Sequence, residues 1–103
     1  MFMAFLSIHT MTGDADDLLA RKQRHMDPVV ERLAPRHGAI LSITSATDEG
    51  IITVNLWQSA EGAAAFSREP EALQAQKDSG LPMPSSFQRF TDATVTCYRD
   101  TQG

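Results

Sequence analysis

The stretch NLWQSAEGAAAF, residues 55–66, decides the fold of this chain. An apolar run ends here at Trp57, the single tryptophan, and a polar, alanine-rich segment follows two residues later. Residues 51–57 predict a strand, because β-branched and aromatic side chains favour extended backbone. Ser59 predicts the N-cap of the helix that follows. The junction therefore indicates a pocket between a sheet and its covering helices, with Trp57 at the mouth.

The composition is that of one globular domain. The chain has 103 residues, of which 42% are apolar and 21% charged. We expect the domain at residues 1–100 and a flexible tail at 101–103. The net charge is −4 and the nine basic residues are scattered, which argues against nucleic acid and against an anionic membrane surface. The single cysteine excludes an internal disulfide, so a reducing cytoplasm is the expected compartment.

Turn residues and hydrophobic periodicity divide the rest of the chain. Asp14 predicts the N-cap of a first helical region that ends at Gly38. Pro28 interrupts that region, so Asp27 is expected to cap a second piece, unless the two pieces form one kinked helix. Gly50 in the segment TDEG predicts a hairpin turn. The predicted elements are strands at 2–11, 39–46, 51–57 and 87–99, and helical segments at 14–26, 28–36, from 60 onward, and at 70–76.

The order strand, helix, strand, strand, helix, strand predicts a ferredoxin-like α+β fold, a four-stranded antiparallel sheet with both helical regions on one face. Alternate residues of a strand lie on opposite faces of a sheet. One predicted face is almost wholly apolar and contains Ala4, Leu6, Ile8, Leu41, Ile43, Ile52, Val54, Leu56, Ala93, Val95 and Cys97. The other mixes aromatic and polar groups and contains Phe5, Ser7, His9, Ser42, Thr44, Thr53, Asn55, Trp57, Thr94, Thr96 and Tyr98. Because neither resembles a solvated face, we expect a homodimer joined through the apolar faces, with the mixed face beneath the helices.

The element order and the stretch at 55–66 resemble the antibiotic biosynthesis monooxygenase family of dimeric α/β barrels. Members often end a strand in Trp and continue with a Ser, an acidic residue and a Phe, which correspond here to Trp57, Ser59, Glu61 and Phe66. The resemblance implies a ferredoxin-like homodimer. For some members it implies cofactor-independent oxygenation of aromatic polyketides or quinols, for others haem degradation, and many have no known reaction.

Two departures from the family pattern bear on the chemistry. Oxygenases of polyketides tend to carry an Asn four residues before the Trp, where this chain has Thr53. Asn55 lies on the same side of the strand, displaced by roughly 6–7 Å. Haem-degrading members use an Asn in strand one and a Trp and a His in the second helical region. This chain has His9 in strand one and Gln76 about where that His is expected, which argues against haem degradation.

The mixed face supplies the candidate site residues. His9 is the candidate base, because its ordinary pKa suits proton abstraction near neutrality, although a hydrogen-bonded structural His is the commoner role. Asn55 and Tyr98 are the candidate donors to a developing oxyanion. Trp57 is either a catalytic pocket wall or an ordinary core or interface aromatic. The remaining candidates for substrate binding on the predicted pocket walls are Phe5, Thr53 and Phe66.

Lys22 falls within the apolar stripe of the first helix. The favoured interpretation is that its ammonium extends outward to solvent, or that Pro28 shifts the helical register. The alternative is that Lys22 reaches the pocket and binds an anionic or phenolate group. The three His and one Cys lack the spacing of a zinc site, and no phosphate-binding glycine loop is present, so neither a metal nor a cofactor is expected.

Two functions remain open on the sequence. The first is a cofactor-independent monooxygenase that acts on a small phenolic, quinol or polyketide-like substrate by base-assisted reaction with dioxygen. The second is a non-catalytic homodimer of the same fold that binds a small hydrophobic molecule or serves as a stress-related accessory protein.

Overall fold

The fold is described by a computed structural model of residues 2–98. Met1, the predicted end of the last strand at Arg99 and the predicted tail at 101–103 lie outside the described residues. The elements in chain order are β1 (Phe2–Thr12), α1 (Ala15–Arg21), a π-helical turn (Lys22–Met26), α2 (Asp27–Leu33), a 3₁₀ turn (Ala34–His37), β2 (Ala39–Ala46), β3 (Gly50–Trp57), α3 (Ala60–Ser67), α4 (Pro70–Ser79) and β4 (Ser86–Val95).

The strands form one antiparallel sheet in the order β2-β3-β1-β4, with the helices packed on one side. The predicted ferredoxin-like α+β fold is confirmed. The central strands pair Phe5 with Trp57, Ser7 with Asn55 and His9 with Thr53. This register places the predicted site residues of β1 and β3 side by side on one face of the sheet.

The first helical region is continuous from α1 to the 3₁₀ turn. The Asp14 carboxylate accepts from the Asp17 N–H at 2.9 Å, which confirms the predicted N-cap. The predicted cap at Asp27 is wrong, since Asp27 has helical dihedral angles and its N–H donates to the carbonyl of Lys22, five residues back. The proline ring at position 28 crowds the carbonyl of an ordinary α-helical turn, and the π-helical turn accommodates it without breaking the helix. Gly38, at φ 90°, ends the region as predicted.

The second helical region is built around two chain-specific contacts. Ser59 Oγ accepts from the Gly62 N–H at 3.0 Å, which confirms the predicted N-cap of α3. A Cβ at Gly62 would lie 2.0 Å from the carbonyl oxygen of His37, so only glycine permits this close approach of α3 to the 3₁₀ turn at Ala34–His37. Helix α4 begins at Pro70, as predicted, and extends beyond the predicted end to Ser79.

The mixed face of the sheet is the face beneath the helices, as predicted, and we call it the inner face. Phe5, Ser7, Thr53 and Trp57 on this face are all buried. The opposite, outer face keeps its apolar character, and Leu41 and Ile43 there are 52% and 54% exposed. Among residues 2–98, no helix has the length and apolar character needed to cross a membrane.

The predicted course of the last strand is partly wrong. β4 ends at Val95, so Thr96 and Tyr98 lie beyond the sheet and not on its inner face. A register shift between the Ala4 and Leu6 pairs separates the two halves of the β1–β4 ladder. In the earlier half, Phe87 pairs with His9 and Arg89 pairs with Ser7, which brings Phe87 and Arg89 to the inner face.

Candidate functional site

A cavity with two lobes lies between the inner face and the helices. Both lobes lie on the inner face of the sheet. We call the lobe lined by the first helical region the inner lobe, with a volume of about 240 Å³, and the lobe lined by α3 and β4 the outer lobe, with a volume of about 490 Å³. The side chains shared by both lobes are His9, Asn55, Trp57, Phe66 and Phe87. The inner lobe is completed by Met11, Lys22, Met26, Val30, Ser42, Thr53, Gln76, Leu81 and Pro84. The outer lobe is completed by Phe5, Ser7, Ala60, Ala63, Ala64, Ser67, Arg89 and Thr91.

His9 lies at the junction of the two lobes. Its ring stacks on Phe87, with centroids 5.6 Å apart and planes inclined by 5°. Within the described residues, its Nδ1 atom is the buried side-chain nitrogen or oxygen that finds no hydrogen-bond partner. Burial, and to a lesser extent the ammonium of Lys22, lower the pKa of His9 below its ordinary value of 6.5. The imidazole is therefore neutral at physiological pH, and its ring lines both lobes of the cavity.

Trp57 and Asn55 form the floor of the cavity beside His9. The Trp57 ring packs against Phe66 with a centroid separation of 5.5 Å and an interplanar angle of 40°. Trp57 lines both lobes and is buried, and its predicted place at the mouth of the pocket stays a prediction. Asn55 lies two residues earlier on the same face and pairs across the sheet with Ser7 and Ser42. The side-chain amide of Asn55 and the apolar ring of Trp57 thus line the space beside the imidazole.

Lys22 also faces the cavity. Its side chain is 20% exposed, lines the inner lobe, and donates from Nζ to Oδ1 of Asp27 at 2.6 Å. The Lys22 side chain thus lines the pocket, as the alternative interpretation expected, with its ammonium paired to Asp27; binding of an anionic or phenolate group stays a prediction. The π-helical turn begins at Lys22, and its wider winding changes the direction of the side chains relative to a regular α-helix.

The structure brings most of the sequence-predicted site residues together. The inner lobe contains His9, Lys22, Thr53, Asn55, Trp57 and Phe66, and the outer lobe contains Phe5. Tyr98 is the exception among them: it is 90% exposed and lines neither lobe. The chemical roles assigned to these residues remain predictions.

Sequence reasoning missed several cavity residues. Phe87 and Arg89 belong to the half of β4 that precedes the register shift, and only their alternation in the sequence could have indicated a shared face. The Arg89 guanidinium lies 5.1 Å from the centroid of the Phe87 ring. Leu81 and Pro84 come from the loop before β4, which has no periodic signal. That loop is held by a hydrogen bond from the Ser85 N–H to the Thr10 carbonyl at 2.8 Å.

Across residues 2–98, no three His, Cys, Asp or Glu side chains lie close enough together to hold a metal ion.

Comparison with known proteins gives structural matches only. No family model and no curated protein sequence matches the chain. A monooxygenase from the gene ActVA-Orf6 of Streptomyces coelicolor, solved with nanaomycin D, is 16% identical, with a TM-score of 0.68 over 94% of each chain. SnoaB, a cofactor-independent oxygenase of Streptomyces nogalater, is 13% identical, with a TM-score of 0.62 over 90% of this chain and 94% of that one.

A third similar structure is a candidate antibiotic biosynthesis monooxygenase from Chloroflexus aurantiacus. It is 15% identical, with a TM-score of 0.67 over 91% of this chain and 97% of that one. At these identities the likeness shows the fold alone. The chain therefore has the fold of the family that its sequence resembles.

Proposed function

We propose that this protein is a cofactor-independent monooxygenase that oxidises a small phenolic, quinol or polyketide-like aromatic compound with dioxygen. The observation that carries the proposal is the neutral imidazole of His9, whose ring lines a largely apolar cavity together with Asn55 and Trp57. A neutral imidazole can accept a proton from the substrate, and a neighbouring amide can donate a hydrogen bond to the oxyanion of the resulting carbanion. The monooxygenase solved with nanaomycin D and SnoaB have the same fold, which supports this class of reaction.

An anthrone illustrates the proposed chemistry. His9 removes a proton from the ring CH₂, and the Asn55 amide donates a hydrogen bond to the enolate oxygen. The carbanion gives its electrons to dioxygen, a C–O bond forms, and the proton held by His9 returns to the distal oxygen to complete a hydroperoxide. Loss of water, which takes the second hydrogen of the former CH₂, leaves a carbonyl. The substrate supplies all four electrons that reduce dioxygen, with one oxygen atom entering the quinone and the other leaving as water.

We also propose that the protein works as a homodimer joined through its outer faces. Leu41 and Ile43 of β2 and Phe90 of β4 are each about half exposed on this face, and the half-buried Leu6, Val54 and Leu56 of the two central strands lie between them. A continuous aliphatic sheet surface of this kind favours burial against a second apolar surface. Packing sheet against sheet buries the outer face of both copies and leaves each cavity covered by the helices of its own chain.

Oxygen uptake in the presence of anthrones and hydroquinones tests the enzymatic proposal. The wild-type protein is expected to consume one dioxygen per anthrone oxidised. His9→Ala should lower the rate by about 100-fold or more, the usual contribution of a positioned base. Trp57→Phe keeps an aromatic wall and should lose less. His25→Ala, which removes a histidine that does not line the cavity, is the matched control.

Two results would refute the enzymatic proposal. An unchanged rate in His9→Ala, with the fold verified by circular dichroism, would remove His9 as the base. Failure of the wild-type protein to take up oxygen with any member of the panel would leave the non-catalytic binding protein as the function.

A further inference from the structure

The inner lobe contains a single charged side chain among the described residues that line it. That side chain is Lys22, and its polar neighbours in the lobe are the neutral groups Ser42, Thr53, Asn55 and Gln76, together with His9. An ammonium has three N–H donors, and the described contacts assign one of them to Asp27. The lobe therefore offers a cation with donor capacity to spare, facing apolar and aromatic walls.

The position of this cation is determined by its partner. Lys22 starts the π-helical turn and Asp27 follows its end, so the pair spans the turn at 2.6 Å. Both side chains are partly buried, at 20% and 31% exposure, which weakens the competition from water. Asp27 therefore fixes the ammonium of a side chain that lines the inner lobe.

We propose that Lys22 binds the ionised hydroxyl group of an acidic phenol in the inner lobe, and that Asp27 positions the ammonium for it. The inference rests on the proposed function and deepens it, because it restricts the substrate to aromatics that carry a free acidic hydroxyl. Hydrocarbon and ether analogues lack the anion and lose this contact. Lys22 is then a specificity-determining residue, and Asp27 a positioning residue.

Substitutions of Lys22 and of Asp27 are expected to change the affinity for a phenolate in opposite directions. Removing the ammonium removes the attraction to a phenolate. Removing the carboxylate charge while keeping an oxygen acceptor, as in Asp27→Asn, leaves the ammonium in place and unneutralised, so phenolate binding becomes stronger. If the pair served only to hold the helix together, both substitutions would weaken the binding of every ligand.

Binding of 2-hydroxyanthraquinone and 2-methoxyanthraquinone separates these cases. Both compounds are already oxidised at the ring carbon that the proposed reaction attacks, so binding is measured without turnover. The phenol and phenolate forms of the hydroxyl compound differ in colour, so absorbance reports which form is bound. The titratable groups around the lobe in the described structure are His9, Lys22 and Asp27, and the pH titration is therefore repeated in His9→Gln.

The wild-type protein is expected to bind the hydroxyl compound more tightly than its methyl ether and to hold it as phenolate at a lower pH than in free solution. Lys22→Met should weaken binding of the hydroxyl compound by about tenfold or more, the usual effect of losing a hydrogen bond to a charged group. Binding of the ether should weaken less, because an uncharged ether oxygen accepts only a weak hydrogen bond from the ammonium. Asp27→Asn should tighten binding of the hydroxyl compound, and Lys77→Met, which removes an exposed ammonium from α4, should change neither.

Equal affinity of the wild-type protein for the two ligands would overturn the inference, as would absence of binding, an equal loss of both ligands in Lys22→Met, or weaker phenolate binding in Asp27→Asn. Oxygen uptake is a separate readout. Selective phenolate binding without any uptake would refute the proposed monooxygenase and leave the Lys22 site standing.

Discussion

The two faces of the sheet differ in a way that runs against simple hydrophobicity. The inner face, which the helices bury, includes Ser7 and Thr53, both almost inaccessible to solvent. The outer face is aliphatic, yet Leu41 and Ile43 on it are about half exposed in a single chain. If apolar area alone decided which face the helices cover, the arrangement would be reversed.

The difference shows that the two faces serve different partners. The inner face carries groups that cannot contribute much to a core but can act on a small molecule, such as the imidazole of His9 and the amide of Asn55. The outer face carries groups suited to a second apolar surface and offers little chemistry. We infer that the helices cover the reactive face and that a second copy of the chain covers the aliphatic one.

The largest expected effect comes from placing a charge on the outer face. Val54→Lys puts an ammonium at the centre of the proposed dimer interface, where an unpaired buried charge costs about 3 kcal/mol or more. The dimer dissociation constant should therefore rise by about 100-fold or more. Sedimentation velocity over a range of concentrations measures this, with Gln74→Lys on the exposed surface of α4 as the control. A wild-type protein that stays monomeric at micromolar concentration would contradict the proposed interface.

An intermediate effect is expected where the helices seat above the inner face. Gly62→Ala places a methyl group against the His37 carbonyl oxygen and forces α3 away from the 3₁₀ turn that contains His37. Overpacking of this kind should lower the free energy of unfolding by about 1–3 kcal/mol. Urea denaturation checks the value.

The control for that substitution is Ala65→Gly in the same helix, at a residue that lines neither lobe, which tests mainly helix propensity at about 1 kcal/mol. A net stabilisation by Gly62→Ala would show that propensity outweighs the close approach.

The smallest expected effect is a pH dependence that belongs to the inner face. The pKa of His9 is lowered, chiefly by burial and further by Lys22, so its protonation should reduce kcat/KM only below pH 6.5. Lys22→Met removes the nearby cation and should raise the pH at which kcat/KM begins to fall, toward pH 6.5. NMR titration of the His9 ring, assigned by its loss in His9→Gln, checks the direction. A downward movement would show that Lys22 does not act on His9.

The same group predicts the sign of a stability change. Between the lowered pKa of His9 and its unfolded value of 6.5, the unfolded chain binds more protons than the folded chain. The contribution of His9 is therefore present above pH 6.5 and is lost as the pH falls through the lowered pKa.

Much of this site could be predicted from the sequence because its residues follow local, periodic rules. Alternation in β1 and β3 placed His9, Asn55 and Trp57 on one face, and their cross-strand register brought them together. The N-caps at Asp14 and Ser59 were also correct, since capping depends on only a few neighbouring residues. The regular helical period placed Lys22 within the apolar stripe, and its side chain does line the cavity. Asp27 was misjudged, because the π-helical turn carries the helix through the position where a cap was expected.

By itself, the sequence determined the order of the elements and the chemical character of each sheet face, because both are written in short-range periodicity and turn residues. The tertiary structure alone decided that Lys22 pairs with Asp27, that Phe87 joins His9, and that Tyr98 stays outside. These outcomes depend on a helical irregularity, a register shift and the length of the last strand. The register shift is settled by pairing between residues far apart in the chain, and the helical irregularity departs from the regular period that sequence patterns assume.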